Sequence, residues 1–170
     1  GSKDTCTKIR EEIKDFLEKH LAMTLNIDKT HITHATTEKA FFLGYDISCT
    51  PKSKMSIGYD SRKRLVRKTT RTIMNAPIKR VVEKLRLKGF LNKKNQPTRC
   101  GRYINTDLWN IIESYKSIER GVINYYSMAN NYGRLAARVH YSLKYSCALT
   151  ISSKMKLKTM RGAFKRYGKN

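Results

Sequence analysis

No aspartate or glutamate follows Glu119, although eleven Lys and Arg lie between Arg120 and Lys169. Internal neutralisation of that stretch by its own acids is therefore excluded, and so one-sided a surface repels itself unless a polyanion covers it. Cysteine is scarce: Cys6, Cys49, Cys100 and Cys147 stand alone, no two closer than 42 positions. That spacing excludes a C-x-x-C zinc or redox pair, and a reduced, intracellular protein is the default reading. No two aspartates are adjacent, and Asp46 and Asp60 each follow a Tyr singly. Two-metal catalysis needs clustered carboxylates, and the sequence offers no adjacent pair to begin such a cluster. No signal peptide is evident, and no apolar run reaches the roughly 18 residues that cross a bilayer. Internal repeats and low-complexity tracts are also missing.

What is present is unevenly charged. The 170-residue chain carries a formal charge of +23, with 39% hydrophobic residues. It can build one ordinary domain or two small ones around a sizeable core. Residues 1–47 hold seven Lys/Arg against eight Asp/Glu, whereas residues 48–170 hold 29 against five. Tyr125, Tyr126, Tyr132, Tyr141, Tyr145 and Tyr167 lie among the later cations. Basic groups interleaved with flat rings suit phosphate backbones and unpaired bases. Gly1-Ser2 reads as a cloning scar, in which case the natural protein extends upstream.

The periodicity predicts an α+β protein. Asp4 or Thr5 is expected to cap a first helix that buries Ile9, Ile13, Phe16, Leu17 and Leu21. Thr30–Ala35 reads as extended, and the apolar Ala40–Ile47 as a strand. Pro51 and Ser53 mark a turn, Met55, Ile57 and Tyr59 alternate, Asp60-Ser61 suggests another turn, and 62–73 reads as basic and extended. Together these predict a small antiparallel sheet with one helix over residues 1–74. From 75 to 170 the period changes to 3.6. Pro77 opens a helix with Ile78, Val81, Val82 and Leu85 inward, and Gly89 stops it. Residues 92–103 form a loop. A long helix begins near Asn105 or Thr106 on the stripe Leu108, Ile111, Ile112, Tyr115, Ile118 and Val122. Asn130-Asn131 interrupts it. The next helix turns Leu135, Val139, Ser142, Leu143 and Ser146 inward, with small residues at Ala136, Ala137 and Ala148 allowing close approach. A short helix spans 160–167.

Within the helical half, R-G-V-I-N-Y-Y-S-M-A-N-N-Y-G-R-L (Arg120–Leu135) and L-K-Y-S-C-A-L-T-I-S-S-K-M-K-L-K-T (Leu143–Thr159) closely resemble domain X, the maturase domain of group II intron-encoded reverse transcriptases. Leu25–Ile47 resembles the end of their palm, with a primer-grip-like F-L-G-Y at Phe42, Leu43, Gly44 and Tyr45. Ala76–Phe90 is similar to the start of their thumb. The resemblance implies a partner, group II intron RNA, which such proteins help to fold for splicing while the RNA performs the chemistry. It also implies that the thumb meets the RNA–DNA template–primer duplex. The family's Tyr-Ala-Asp-Asp motif, which holds Mg2+ for RNA-directed DNA polymerisation, does not occur in this chain. The polymerase centre is expected upstream, and this fragment is expected to be inert as an enzyme and to need no cofactor. No membrane partner is expected. Lys exceeds Arg and Asn and Ile are frequent, a composition that fits an AT-rich organellar genome; the mitochondrial matrix or another organelle is the expected location, with bacterial cytoplasm as the alternative.

The candidate RNA contacts are Arg120, Tyr125, Tyr126, Arg134, Arg138, Tyr141, Lys144, Tyr145, Lys154, Lys156, Lys158, Arg161, Lys165 and Arg166. Arg134, Arg138, Tyr141 and Tyr145 share one helix face. A solvated charge run is the plain alternative, weakened because no local carboxylate can pair with either arginine. Tyr125 and Tyr126 are adjacent on a helix, so one should pack inward and the other stay wet. His31-x-x-His34 on an extended segment points its rings to opposite faces, which favours a structural or RNA-contacting role over a metal site. A reactive thiol at Cys147 would need an exposed, electropositive setting that Lys144 alone does not establish. Gly44 reads as a position of close backbone approach rather than a phosphate cradle. A generic RNA-packaging protein and a polymerase thumb remain rival readings.

Overall fold

The computed structural model describes residues 2–50, 57–59, 64–67, 71–157 and 159–168, with side chains described outside 57–59 and 65–67. Five α-helices and five short strands are found among them. The expected α+β class is observed. The chain forms two compact units, one of residues 1–40 and 48–72, the other of residues 41–47 and 73–170.

In the first unit, α1 spans Lys3–Leu21. Its cap is Ser2, whose side chain accepts from the Thr5 amide at 3.2 Å, and not Asp4 or Thr5 as expected. The predicted apolar stripe shares a face but is not buried: Ile9 and Ile13 are 49% exposed and Phe16 is 55% exposed. Periodicity specifies which side chains lie together; it does not supply the surface that covers them. Thr30–Ala35 forms no strand. A 3-10 turn at Ile27–Lys29 precedes it, capped by Asn26. The His34 ring meets the hydroxyls of Thr36 and Thr37 at 3.2 and 2.8 Å. Strands β3 (Ile57–Tyr59) and β4 (Leu65–Arg67) pair antiparallel with Gly58 opposite Val66. The turns expected at Pro51-Ser53 and Asp60-Ser61 lie outside the described residues.

A three-stranded antiparallel sheet has the order β1-β2-β5, from Ala40–Phe42, Tyr45–Cys49 and Thr72–Asn75. The single strand expected over Ala40–Ile47 is therefore two strands. Leu43 (φ 45°) and Gly44 (φ 83°) both adopt positive φ and make a two-residue hairpin turn. Such a turn follows the right-handed twist of its strands, and glycine occupies it without strain. Apolar residues on both sides of the turn disguise it as one run.

The helical part of the second unit follows the predicted stripes. Helix α2 (Ile78–Leu87) buries Val81, Val82 and Leu85. Its end is a complete Schellman motif. Gly89 at φ 84° donates its amide to Arg86 O, and Phe90 donates to Leu85 O. Helix α3 (Leu108–Tyr125) buries Ile111 and Tyr115; helix α4 (Tyr132–Lys154) buries Leu135, Val139, Ser142, Leu143 and Ser146. Ala137, expected to allow close helix approach, is exposed instead. Helix α5 covers Met160–Tyr167, the range expected. Phe90, Tyr103 and Tyr115 cluster with centroids 5.1 to 6.2 Å apart.

Asn130 and Asn131 do more than interrupt a helix. Asn130 exchanges two 2.8 Å bonds with the Met74 backbone, and Asn131 spans the Ala76 amide and carbonyl at 2.8 and 2.9 Å. A side-chain amide here continues a strand's hydrogen bonding, so the α3–α4 turn is tied to the segment that enters α2.

Two substitutions test these ties. A Cβ at Gly44 would lie 2.8 Å from the Tyr125 hydroxyl, at a φ that L residues rarely adopt. Gly44→Ala should destabilise the protein by about 1–3 kcal/mol in urea unfolding; an unchanged midpoint would mean that the turn relaxes freely. Asn131→Ala strands the buried-side Ala76 groups and should cost about 1–3 kcal/mol by the same assay.

Candidate nucleic-acid interface

Helix α4 carries no acid and presents a continuous line of cation and ring. Arg134 is exposed at its start. The Arg138 guanidinium lies 5.8 Å from the Tyr141 ring centre, and Tyr141 lies 4.7 Å from Tyr145. Tyr145 in turn meets Phe164 of α5 edge-on at 6.0 Å. Spacings of four, three and four residues place this line on one side because a helix turns once every 3.6 residues. Arg138 is also anchored, donating to Asn95 O at 2.7 Å. The predicted four-residue face is thus brought together, and it extends by one ring, Phe164.

The remaining candidates fall in several places. Lys156, Arg161, Lys165 and Arg166 are exposed at the α4–α5 turn and on α5, with Lys156 at φ 53° and Arg166 5.7 Å from the Tyr167 ring. Arg120 is exposed on α3. Lys144 is half-buried. Lys154 is half-buried with Nζ donating to Ile104 O at 3.1 Å, which ties down much of its reach. Lys158 lies outside the described residues.

Tyr125 and Tyr126 divide as adjacent helical residues must. Tyr126 is 8% exposed and Tyr125 56%. Tyr125 donates its hydroxyl to Leu43 O at 2.7 Å, and the Tyr45 hydroxyl donates to Tyr125 O. Gly44 is therefore a site of close approach, as its place in the sequence suggests. The F-L-G-Y segment forms an apolar hairpin tip, with Phe42 60% and Leu43 71% exposed. Beside it, Arg80 stacks over Phe41 at 4.0 Å. That cation–ring pair was not anticipated, since 39 positions separate its members.

A buried hydroxyl knot holds α3 to α4. Tyr115 OH lies 3.0 Å from both Ser146 Oγ and Thr150 Oγ1. Ser146 donates to Thr98 O at 2.7 Å and Thr150 to Ser146 O at 2.8 Å. With both of those protons committed, the one Tyr115 proton is shared between the two oxygens in a three-centre bond. The Cys100 amide also donates to Thr150 Oγ1 at 3.0 Å. Beyond the knot, Lys116 and Glu119 of α3 face His140, Lys144 and Cys147 of α4 around a cavity of about 340 Å3. His140 Nδ1 meets Glu119 Oε1 at 2.7 Å. Sequence reasoning missed this grouping. The i, i+3 and i, i+4, i+7 spacings were visible, but nothing local says that the two faces oppose each other. Among the described residues, no three His, Cys, Asp or Glu converge to hold a metal ion, and no helix is long and apolar enough to cross a membrane.

The family model for type II intron maturases matches residues 69–170. The chain belongs to the type II intron maturase family. It is 43% identical, over its whole length, to the putative COX1/OXI3 intron 1 protein of Saccharomyces cerevisiae. It is 32% identical over 92% of its length to the group II intron-encoded protein LtrA of Lactococcus lactis. A third relative is the uncharacterized mitochondrial protein ymf11 of Marchantia polymorpha, 30% identical over 84% of the chain. The chain spans only 21%, 26% and 20% of the lengths of these relatives, so it corresponds to a minor part of each. The maturase match covers α2 to α5, where the cation-and-ring line lies.

Burial raises the Cys147 thiol to about 11 and the Tyr115 phenol to about 12. Cys147 is thus a neutral thiol at physiological pH, not a reactive thiolate. Both folded values exceed the unfolded ones. The associated stability is whole below pH of about 9 and is lost as pH rises through 11 and 12, because the unfolded chain deprotonates first. At pH 8, iodoacetamide should modify exposed Cys6 well before Cys147, and urea should abolish the difference; equal rates in the native protein would contradict the assignment.

Proposed function

We propose that this maturase domain binds the structured RNA of a group II intron and assists its folding and splicing, leaving the chemistry to the RNA. The observation that carries this reading is the acid-free line Arg134, Arg138, Tyr141 and Tyr145, continued by Phe164. Phosphates meet the guanidinium groups, and the rings offer stacking surface to unpaired bases. Arg161, Lys165 and Arg166 add charge that supplies affinity without sequence preference. The mitochondrial relative from Marchantia supports a mitochondrial setting.

A second reading rests on the apolar hairpin tip. Exposed Phe42 and Leu43, with Arg80 beside Phe41, suit a template–primer duplex held by a reverse transcriptase thumb. In the longer protein, Leu43→Asp should then impair primer extension more than splicing, whereas Arg134→Ala should do the reverse.

Filter binding to a group II intron RNA tests the main reading. Engagement of about six phosphates gives a slope of log K against log salt of roughly −4 to −5; a flat response would remove the electrostatic mechanism. Arg134→Ala should weaken binding while stability stays within about 0.5 kcal/mol, as for an exposed side chain that has no hydrogen bond or ion pair among the described residues. An equal length of unrelated structured RNA should bind less well; equal affinity would favour a packaging role.

A further inference from the structure

The cavity between α3, α4 and α5 is not accounted for by phosphate binding. Its volume, about 340 Å3, is at the lower end of sites that enclose a small ligand. Its floor is apolar, from Ile112, Leu143 and Ile151, and Phe164 and Tyr167 contribute rings to its wall. Lys116 and Lys144 stand on opposite helices along it. The Glu119–His140 pair supplies the polar edge, and with Oε1 bonded to His140 the carboxylate keeps Oε2 as an acceptor.

Resting on the RNA-binding reading above, the geometry points to this cavity as the receptor for a single unpaired nucleobase extruded from the bound RNA. Three observations converge. First, Phe164 belongs both to the cavity wall and to the line Arg138–Tyr141–Tyr145–Phe164, so the stacking surface leads into the cavity. Second, two lysines beside an apolar floor match a flat base whose flanking phosphates stay at the surface. A free apolar ligand would leave that charge without a partner. Third, Glu119 Oε2 has no donor among the described residues, so it is available to accept a base-edge N–H, from an exocyclic amine or a ring imide. Single-stranded RNA is read in this manner, by stacking and by hydrogen bonds to the base edge. No covalent step is involved, and the neutral, shielded Cys147 serves as packing surface.

Ultraviolet crosslinking of the wild-type protein to a group II intron RNA, with tandem mass mapping, reads the site directly. Adducts are expected at Cys147 in tryptic peptide 145–154 and at Phe164 in peptide 162–165. Filling the cavity by Cys147→Phe should weaken RNA binding roughly tenfold, within the span of losing one stacked base, with an unchanged salt slope. Adducts confined to Tyr141 and exposed residues, with Cys147→Phe binding normally, would overturn the base receptor while leaving the RNA-binding reading intact. Absence of salt-dependent RNA binding by the wild-type protein would sink both. If Cys147→Phe fails to fold, the wild-type crosslink map decides alone.

Discussion

The α3–α4 seam closes on three hydroxyls and three backbone groups. The single Tyr115 proton is shared between Ser146 and Thr150, whose own protons are committed to the Thr98 and Ser146 carbonyls. Buried polar groups stabilise only when every donor and acceptor is matched, and among the described residues none of the buried side-chain polar atoms is left unpaired. The knot also reaches the loop before α3 through Thr98 and Cys100. It thereby fixes the rotation of α4. The positions turned outward follow from that rotation: one row bears Arg134, Arg138, Tyr141 and Tyr145, and the adjoining row bears His140, Lys144 and Cys147 along the cavity.

The electrostatics depend on this placement. Seventeen of the described core hydrophobics are buried, and each of them lies between residues 76 and 163. The half of the chain with the greatest charge is thus also the half with a well-packed interior. Self-repulsion is tolerated because the cations stand on the rim of a packed helical core, held at its margins by contacts such as Arg138 to Asn95 O and Lys154 to Ile104 O. Salt bridges contribute little here. Glu119 faces His140, and Glu83 pairs with Arg86, so among the described residues no carboxylate pairs with Arg134 or Arg138. A polyanion is the natural complement of such a surface.

Legibility varied with the locality of the signal. Helices α2 and α5 and the buried stripe of α4 were readable because capping, glycine stops and 3.6-residue periodicity act within one or two turns. The division of labour between Tyr125 and Tyr126 was readable for the same reason. The hairpin at Leu43-Gly44 was not, since apolar residues on both sides mimic one strand and only backbone φ distinguishes them. Helix α1 shows the opposite error. Its amphipathic pattern is genuine, yet the face stands exposed because a pattern specifies a surface and not its cover. Thr150 and the Asn131–Ala76 pairing were also hidden, each joining residues 35 or more positions apart.

From the sequence by itself came the acid-free carboxy-terminal third, the family resemblance and the row of residues along α4. These are properties of composition, order and helical pitch, and they need no knowledge of what lies opposite. The tertiary structure alone decided which cations are exposed, which are tied to backbone carbonyls, and that Lys116 and Glu119 face His140 and Lys144 across a cavity. Those facts depend on how two helices are rotated against each other. That rotation is set by side-chain interlocking between distant segments, for which no local periodicity exists.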